Sequence, residues 1–189
     1  MRYFILSDIH ANQEALDTVL TDMRSALKFQ RSNDRVVCLG DVIGYNPNPN
    51  EAMDAIWQLA NTRLIGNHDL GVYWCLTGKK QAEIAMHFNE SAHWALNWTA
   101  KQLSAQNKGR LIELIEYDAY FEKQGEMVFA HATPTAQKDF SYYICDTSDA
   151  FLHFFRLKQT RNTIAFVGHT HIPQLYFLRE RDIFNSPQN

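Results

Sequence analysis

Cysteine is scarce in this chain: the 189 residues include only 3 cysteines, and they lie far apart in the sequence. They are Cys38, Cys75 and Cys145. An odd number of widely spaced cysteines is typical of reduced thiols in a cytoplasmic protein rather than of a disulfide framework or a zinc knuckle. Cys38 lies inside an apolar run and is most simply interpreted as a small core residue.

Basic charge is also low, and it is not concentrated anywhere along the chain. Lys and Arg number 18 against 21 Asp and Glu, which gives a formal net charge of −3. The densest clusters, Lys79-Lys80 and the stretch from Arg179 to Arg181, do not resemble the basic stripe of a protein that grips nucleic acid by its phosphates. Long nucleic acid is therefore not the expected partner. The sequence leaves the oligomeric state open.

Long hydrophobic runs are missing as well. No apolar run approaches the length of a transmembrane helix. The first run, from Tyr3 to Leu6, is too short for a signal peptide, and Asp8 follows it at once. These features predict a cytoplasmic protein without a membrane partner.

What the chain does contain is enough apolar material for one packed domain. Hydrophobic residues make up 46% and aromatic residues 13%, which are globular values. We expect a single domain over residues 1–189 with an aromatic-rich helical insertion at about 71–110, formed by helices over roughly 79–88 and 91–104. The aromatic side chains of this insertion are interpreted mainly as core, with a cap that stacks a base as the alternative. They are Tyr73, Trp74, Phe88, Trp94 and Trp98.

Strands and helices alternate before this insertion, which favours a mostly parallel sheet with helices packed outside. Asn12 is a predicted N-cap of the first helix, and Asn50 is the predicted start of the second. The first helix is indicated by apolar residues at helical spacing: Leu16, Val19, Leu20, Met23 and Leu27. The predicted strands are 3–6, 34–39, 62–65, 117–121, 126–130, 165–167 and 174–178, and a further helix is predicted over 149–157.

Five apolar runs each stop at residue types that bind hard or borderline metals. In open α/β sheets the ligand site lies just beyond the carboxyl ends of the strands. One metal centre assembled from five strand ends therefore explains the pattern. The candidate ligands are Asp8, His10, Asp41, Asn67, His131, His169 and His171.

This number of side chains suits two metal ions better than one. It is too large for a single four-coordinate ion, but it suits two ions that share a carboxylate. The mixed nitrogen and oxygen donors fit manganese, iron, nickel, zinc or cobalt without choosing among them. Two ions roughly 3.5–4 Å apart can lower the pKa of a shared water and clamp a phosphoryl group for in-line attack.

The order of these blocks resembles that of the calcineurin-like metallophosphoesterases, and the resemblance spans residues 8–171. The blocks are Asp8-Ile9-His10, Gly40-Asp41, Gly66-Asn67-His68-Asp69, His131 and Gly168-His169-Thr170-His171. The resemblance implies a four-layer α/β/β/α fold with a dinuclear metal site, and hydrolysis of a phosphoester by a metal-bound hydroxide. It also implies that Asp8, His10 and His171 hold one ion, that Asn67, His131 and His169 hold the other, and that Asp41 bridges them.

Several neighbouring residues are given other roles by the same resemblance. His68 is expected to face the phosphate and to protonate the leaving oxygen, without binding metal and with little packing around it. Asp69 either orients His68 or caps the next element. Asn12 and Tyr45 are candidates for contact with the ligands or the substrate. The remaining histidines, His87, His93 and His153, are interpreted as surface or packing residues.

Where this sequence departs from the family's patterns, it restricts the range of substrates that the resemblance implies. After Asp41 the chain reads Val-Ile-Gly-Tyr-Asn-Pro, without the Asp-Arg pair with which phosphoprotein phosphatases bind phosphate. This run resembles the small bacterial branch of phosphodiesterases and nucleotide hydrolases. The expected function is hydrolysis of a small phosphodiester or nucleotide; the alternatives are a phosphomonoesterase or protein phosphatase, and a non-catalytic binding scaffold. Relatives continue past residue 171 through further strands, so a shorter sheet edge or a truncated chain is expected.

Overall fold

Two three-stranded sheets dominate the computed structural model, which describes residues 1–79, 83, 86–135, 138–179 and 182–185. In chain order the elements are β1 (Arg2–Leu6), α1 (Gln13–Ser25), β2 (Asp34–Cys38), α2 (Pro49–Leu59), β3 (Thr62–Arg63), α3 (Asn67–Thr77), α4 (Glu90–Gln102), α5 (Ala105–Glu116), β4 (Phe121–Gln124), β5 (Met127–Ala130), α6 (Thr147–Gln159), β6 (Ile164–Phe166), β7 (Tyr176–Arg179) and β8 (Asp182–Asn185). The sheets are β1-β2-β3 and β4-β5-β6, and β7 and β8 form a separate hairpin.

The first sheet is parallel, as the alternation of strands and helices predicts. Leu6 pairs with Cys38, and Val37 pairs with Thr62. Strand β2 is buried along almost its whole length, which is typical of a strand covered on both faces. One face packs against apolar residues of α1 to α5: Leu16, Leu20, Met23, Ala52, Met53, Ile56, Val72, Leu96, Ala100 and Leu111.

The opposite face of β1 and β2 packs against the second sheet. There β4 and β5 are antiparallel, whereas β5 and β6 are parallel. The Tyr3 ring stacks on that of Phe129 with the centroids 5.9 Å apart. A small core lies between the sheets, formed by Val37, Leu39, Leu64 and Phe129 with Tyr3, Ile5, Met127 and Phe166. Helices, first sheet and second sheet thus form three successive layers, and α6 packs with the β7–β8 hairpin.

Residues at the N-termini of α1 and α2 determine where these two helices begin. The Asn12 side-chain oxygen accepts a hydrogen bond from Ala15 N at 3.0 Å, so Asn12 is the N-cap of α1 as predicted. Pro49, rather than Asn50, is the first residue of α2, where its missing N–H needs no partner. Val19 lies in α1 as predicted, although it is 42% exposed, whereas the prediction is wrong for Leu27, because α1 ends before it.

Two helices, α3 and α5, are missing from the sequence-based prediction. Helix α3 begins inside the Gly66–Asp69 block and carries apolar side chains on several faces, so it presents no amphipathic stripe. Helix α5 begins after Ser104, whose hydroxyl accepts a hydrogen bond from Asn107 N at 3.2 Å. It continues through Gly109, where the insertion is predicted to end.

The other helices agree more closely with expectation. Helices α4 and α6 lie within about two residues of their predicted ranges. The helix predicted over 79–88 falls partly on 80–82 and 84–85, which lie outside the described residues. Within the described ranges, no helix is both long and apolar enough to cross a membrane.

The strand predictions are wrong at three boundaries. Strand β3 ends at Arg63; Leu64 N still donates to Cys38 O of β2 at 2.8 Å, and Ile65 N donates on the other side to Ala119 O at 2.8 Å. Residues 117–120 form a turn, in which Asp118 has a φ of +58°, and β4 begins only at Phe121. Strand β7 begins at Tyr176, two residues later than predicted.

Candidate metal centre

The segments that follow β1, β2, β3, β5 and β6 meet at one edge of the two sheets. Because parallel strands end on the same side, this edge is where an open α/β sheet binds its ligand. Backbone hydrogen bonds join the segments directly: Asp8 N donates to Gly40 O at 3.1 Å, and Gly168 N donates to His131 O at 2.8 Å. The backbone alone therefore brings the predicted ligands together.

The first group of candidate ligands comprises Asp8, His10 and His171. The Nε2 atoms of His10 and His171 are 3.1 Å apart, and His171 Nε2 lies 3.4 Å from Asp8 Oδ1. All three donor atoms lie within 4.8 Å of one another, close enough for one ion. These are the three side chains that the resemblance assigns to the first ion.

The second group forms around His131. Its Nε2 atom lies 3.1 Å from Asn67 Oδ1 and 3.3 Å from Asp41 Oδ2. The two groups overlap through both carboxylates, since Asp41 Oδ2 is 3.6 Å from His10 Nε2 and Asp8 Oδ1 is 3.9 Å from His131 Nε2. The structure therefore brings Asp8 as well as Asp41 between the histidines.

His169 lies in the same centre, but one of its ring nitrogens is already engaged. Its Nε2 atom is 2.9 Å from the carbonyl oxygen of Phe140, and its ring centroid is 5.1 Å from that of His131. A carbonyl can only accept, so Nε2 carries the proton and Nδ1 is left as the nitrogen able to bind a metal. Histidine ligands commonly hold their orientation by such a hydrogen bond from the second nitrogen.

The chemistry of the donors fits divalent cations. Asp41 is fully buried; its Oδ1 atom accepts a hydrogen bond from His68 N at 2.8 Å, but its Oδ2 atom has no hydrogen-bond partner among the described residues. A buried carboxylate oxygen without a hydrogen bond is costly unless a cation neutralises it. The overlapping groups and this orphaned oxygen suit a pair of cations around Asp41.

The ionisation of the site favours metal binding. Burial opposes the charge of Asp41, yet the neighbouring imidazoles, His131 first among them, hold the pKa of that carboxyl well below its usual range. Burial lowers the pKa of His10 and of His169, and it lowers the pKa of His68 to about 4. For His131 burial also lowers the pKa, but Asp41 outweighs it and the net shift is upward. Most of these imidazoles are therefore neutral near pH 7, which is the form that binds metal.

Strained backbone is concentrated at the ligand positions. Five of the predicted ligands have a positive φ: Asp8 (54°), His10 (49°), Asp41 (51°), His169 (71°) and His171 (57°). Such left-handed conformations are unfavourable for residues with a side chain and persist only where the surrounding structure fixes them. The surrounding structure therefore holds the backbone of this edge in conformations that orient the ligand side chains, although these conformations are themselves unfavourable.

The glycines of the motifs make room for these side chains. A Cβ on Gly66 would lie 2.0 Å from Asp41 Oδ1, and a Cβ on Gly168 would lie 2.5 Å from Asp8 Oδ2. Neither glycine can be replaced without moving a ligand carboxylate. The structure thus gives a steric reason for glycine in both blocks.

Asp69 holds the loop that carries Asp41. Its carboxylate accepts hydrogen bonds from Asp41 N at 2.7 Å, from Val42 N and Ile43 N at 3.1 and 3.2 Å, and from Gly66 N at 3.1 Å. Of the two roles predicted for Asp69, the structure supports capping, extended to the neighbouring loop. Within the described part of the chain His68 Nδ1 makes no hydrogen bond, so none joins it to the Asp69 carboxylate.

His68 lies beside the centre and is more enclosed than predicted. It is only 5% exposed, and its ring centroid lies 4.6 Å from that of His10, 4.4 Å from that of Tyr45 and 5.2 Å from that of Phe88. The expectation that little packs against this side chain is therefore wrong. His68 also shares a group of close donor atoms with His10 and Asp41, so proximity alone does not separate it from the ligands.

The remaining residues singled out in the sequence lie in different parts of the structure, and not all of them are near the metal centre. Tyr45, 45% exposed, has its ring 4.9 Å from that of His10 and so lies at the centre, whereas the Asn12 side-chain oxygen is used by the cap of α1. His153 is buried, with its Nδ1 atom 3.1 Å from Thr135 Oγ1, in agreement with a packing role. His93 is half-buried, and His87, predicted as a surface or packing residue, lines a cavity.

That cavity adjoins the centre, and its lining includes Tyr73, Trp74 and Phe88, for which a base-stacking cap is the alternative interpretation of the sequence. It has a volume of about 680 Å³, and its lining includes Asn67 and His169 of the centre together with Phe140 and Tyr143. The Tyr143 ring stacks on His169 with centroids 4.2 Å apart and an interplanar angle of 19°. Phe140 and Tyr143 both lie in the irregular segment between β5 and α6, where no periodicity marks a position as functional.

The fold and the centre define a two-sheet α/β protein with a candidate two-metal site at its strand ends. Residues 1–173 match the family model of the calcineurin-like phosphoesterases, and the chain belongs to that family. The predicted resemblance and the predicted metallophosphoesterase fold class, with its mixed α/β content, are thereby confirmed.

Individual relatives agree with this assignment. An uncharacterized protein of Methanocaldococcus jannaschii is 33% identical over 169 residues, covering 89% of this chain and 62% of the relative. The crystal structure of a metallophosphoesterase from Sphaerobacter thermophilus has 31% identity and a TM-score of 0.68, covering 93% of this chain and 62% of that one. A protein provisionally assigned as a diadenosine tetraphosphatase has a TM-score of 0.52 at 18% identity, with coverage of 77% and 56%, and is similar in fold alone. The chain thus spans less than two thirds of the length of these relatives.

Proposed function

We propose that this chain hydrolyses phosphoester bonds with the help of two divalent cations, and that its preferred substrate is a small phosphodiester or nucleotide. The observation that carries the proposal is the convergence of two donor groups on the buried Oδ2 atom of Asp41, which makes no hydrogen bond but lies 3.3 Å from His131 Nε2 and 3.6 Å from His10 Nε2. Membership of a family of phosphoesterases supports the reaction class.

In this proposal Asp8, His10 and His171 hold one cation, and Asn67, His131 and His169 hold the other. Asp41 lies between them, and Asp8 is near enough to both groups to assist. When bound, such cations supply Lewis acidity, which lowers the pKa of a water molecule and neutralises phosphate charge. The donor set accepts manganese, iron, nickel, zinc or cobalt.

His68 is assigned the protonation of the leaving oxygen. Its ring lies next to His10 and under Tyr45, on the border between the centre and the helical side of the cavity. Because burial lowers the pKa of His68 to about 4, the side chain is neutral at pH 7 before substrate binds. The negative charge of an incoming phosphate favours the imidazolium form, so the proton would be acquired together with the substrate.

The choice of a diester over a phosphoprotein or simple monoester rests on the loop after Asp41. Residues 42–47 contain no arginine, and Tyr45 occupies the position over the two histidines. An arginine there would provide the bidentate contacts that favour the terminal phosphate of a monoester. A half-exposed tyrosine offers one hydroxyl and an aromatic face instead.

The test is reconstitution of metal-stripped protein with each of the five candidate metals. We expect stripped protein to be inactive, two equivalents of metal per chain on reconstitution, and faster hydrolysis of bis(p-nitrophenyl) phosphate than of p-nitrophenyl phosphate. Full activity in stripped protein would contradict the metal-dependent reaction. Faster hydrolysis of the monoester would instead support a phosphomonoesterase, and metal binding without hydrolysis of either ester would support a binding scaffold.

A further inference from the structure

The cavity beside the metal centre is much larger than a phosphate group requires. Its volume of about 680 Å³ lies within the range of small-molecule sites, which is roughly 300–1,000 Å³. Its walls come from α3, from the segment just before α4 and from the loop at 138–143, with Ile115 and Tyr120 closing one side. Asn67 and His169 belong to both the cavity and the centre, so a ligand in the cavity can reach the metal ligands.

The walls of this cavity are strongly aromatic. The six aromatic rings that line it, besides those of its histidines, belong to Tyr73, Trp74, Phe88, Tyr120, Phe140 and Tyr143. Phe88 and Tyr143 lie at the border with the centre, because the first contacts the His68 ring and the second stacks on the His169 ring. Aromatic faces bind planar rings by stacking and contribute little to binding phosphate.

The charges around the cavity indicate which end of a bound molecule faces the metal centre. Among the described lining residues Lys138 is a cation, but it forms an ion pair with Asp118, and Asp139 adds negative charge. These residues therefore offer a phosphate group little attraction. With its cations bound, the metal centre is the positively charged end of the site. A phosphate group would therefore bind there, and an uncharged planar group would bind among the aromatic rings.

We propose that the cavity seats the base of a nucleotide phosphodiester and thereby makes the enzyme selective for nucleosidyl esters. This inference rests on the proposed phosphoesterase function, but it assigns a separate region of the chain to substrate selection. Ser141 N already donates a hydrogen bond to Asp139 Oδ1 at 2.9 Å, so the Ser141 hydroxyl and Asp139 Oδ2 are the groups left to contact the edge of the base, while the rings supply the stacking.

The test compares two esters that share one leaving group: p-nitrophenyl thymidine 5′-phosphate and methyl p-nitrophenyl phosphate. Because p-nitrophenolate leaves in both, the difference in kcat/KM reports on the group that stays with the phosphate. We expect kcat/KM to be about 5-fold to 100-fold higher for the nucleosidyl ester, the usual worth of a base stacked on an aromatic side chain.

Variants of the cavity should remove this preference selectively. Trp74→Leu takes away one stacking face, and Ser141→Trp fills the cavity from the loop without removing a core side chain. Both should lower kcat/KM for the nucleosidyl ester about 5-fold or more and leave the methyl ester within about twofold. Trp94→Leu is the matched control, because Trp94 is 68% exposed on α4 and does not line the cavity. It should change neither ester.

A binding measurement separates this proposal from the proposed function. Calorimetry with thymidine 5′-monophosphate and with deoxyribose 5-phosphate should show tighter binding of the nucleotide, and Trp74→Leu should abolish the difference. Equal kcat/KM for the two esters, or an equal loss on both in Trp74→Leu, would overturn the base site while the phosphoesterase function stands. Base-dependent binding without hydrolysis of either ester would support the base site and overturn the proposed enzyme.

Discussion

The strand-end edge and the helical wall of the cavity are built in opposite ways. At the edge, the backbone is forced into left-handed conformations at Asp8 and Asp41, and Gly66 and Gly168 touch carboxylates. In the helical region the backbone is regular: Gly109 in α5 has open space around its missing Cβ, and a Cβ on Gly71 in α3 would meet only side-chain ends, those of Leu96 at 2.7 Å and Phe88 at 3.1 Å. In the first region, unfavourable backbone conformations fix the positions of the donor atoms. In the second region, regular helices present their side chains to the cavity.

This difference follows from what each region has to do. A metal centre tolerates errors of only a few tenths of an ångström in its donor atoms, so its residues must be over-determined by their surroundings. A pocket that stacks a planar ring needs only apolar faces at about the right separation. We therefore expect substitutions at the edge to affect metal binding and rate together, and substitutions in the wall to affect substrate choice.

The largest effect should come from Asp41→Asn, which removes the carboxylate between the two donor groups. Without its charge the repulsion between two dications is not neutralised, so the variant should lose one or both ions as well as its activity. We expect metal affinity to fall by more than about 100-fold, beyond the effect of residues that only support a ligand. Metal analysis of dialysed protein and titration calorimetry measure this directly.

Asp54→Asn is the matched control for Asp41→Asn. Asp54 is 47% exposed and pairs with Arg110, away from the centre. The same chemical change there should leave the metal content unchanged. If Asp41→Asn still bound two ions per chain with unchanged affinity, the bridging role of Asp41 would be wrong.

The contrast between the two regions also explains what the sequence could predict. The ligands were predictable because each follows an apolar run at the end of a strand, and parallel strands bring their carboxyl ends to the same edge whatever their spacing in the chain. All seven predicted ligands lie at this edge, which was predicted from residue types and their positions, whereas the exclusion of His68 from the ligands came from the resemblance to the family. Their division between two ions, and the role of His68, stay predictions.

The cavity could not be predicted in the same way. Phe140 and Tyr143 lie in an irregular loop without a repeating pattern, and Trp74 lies on α3, whose apolar side chains point in several directions. Whether an aromatic residue packs in a core or lines a cavity depends on tertiary distances that periodicity does not contain. The alternative of a base-stacking cap was visible in the sequence, but only the structure separates Trp74 in the wall from the exposed Trp94.

The second largest effect should come from His68, on the border between the regions. His68→Ala should keep both ions and lose about 10²–10⁴-fold in rate with an alkoxide leaving group, the usual range for general acid catalysis. The loss should be small for p-nitrophenolate, which departs without a proton. Rates on the two kinds of ester, with metal content measured in parallel, make this comparison.

The burial of His68 requires a second variant. His68→Ala leaves a gap beside Tyr45 and Phe88, so we expect its melting temperature to fall. His68→Gln keeps most of the volume and should lose the same rate with less loss of stability. Loss of an ion in either variant would make His68 a ligand, and an equal rate loss on both leaving groups would indicate positioning of the phosphate rather than proton donation.

A smaller effect, on stability, is expected from Gly66→Ala. Gly66 has an ordinary negative φ, so the strain comes from the 2.0 Å approach of the new Cβ to Asp41 Oδ1 rather than from the backbone angle. Metal-free protein should lose about 1–3 kcal/mol of unfolding free energy, the usual penalty of overpacking. It should also bind metal more weakly, because the Asp41 carboxylate must move. Unchanged stability and affinity would show that the edge is more adaptable than its geometry indicates.

The smallest effect should come from Gly109→Ala, the same change from glycine to alanine but in the helical region. It should have the opposite sign, a gain in stability. Gly109 is exposed in the interior of α5, and a Cβ there meets nothing within 4 Å. Alanine loses less conformational entropy than glycine on entering a helix, so Gly109→Ala should raise the unfolding free energy by about 0.5–1 kcal/mol. Urea denaturation of both variants without metal gives the comparison, and metal affinity and kcat/KM should not change in Gly109→Ala. A destabilised Gly109→Ala would mean that α5 is constrained as tightly as the strand-end edge, and the contrast between the two regions would have to be given up.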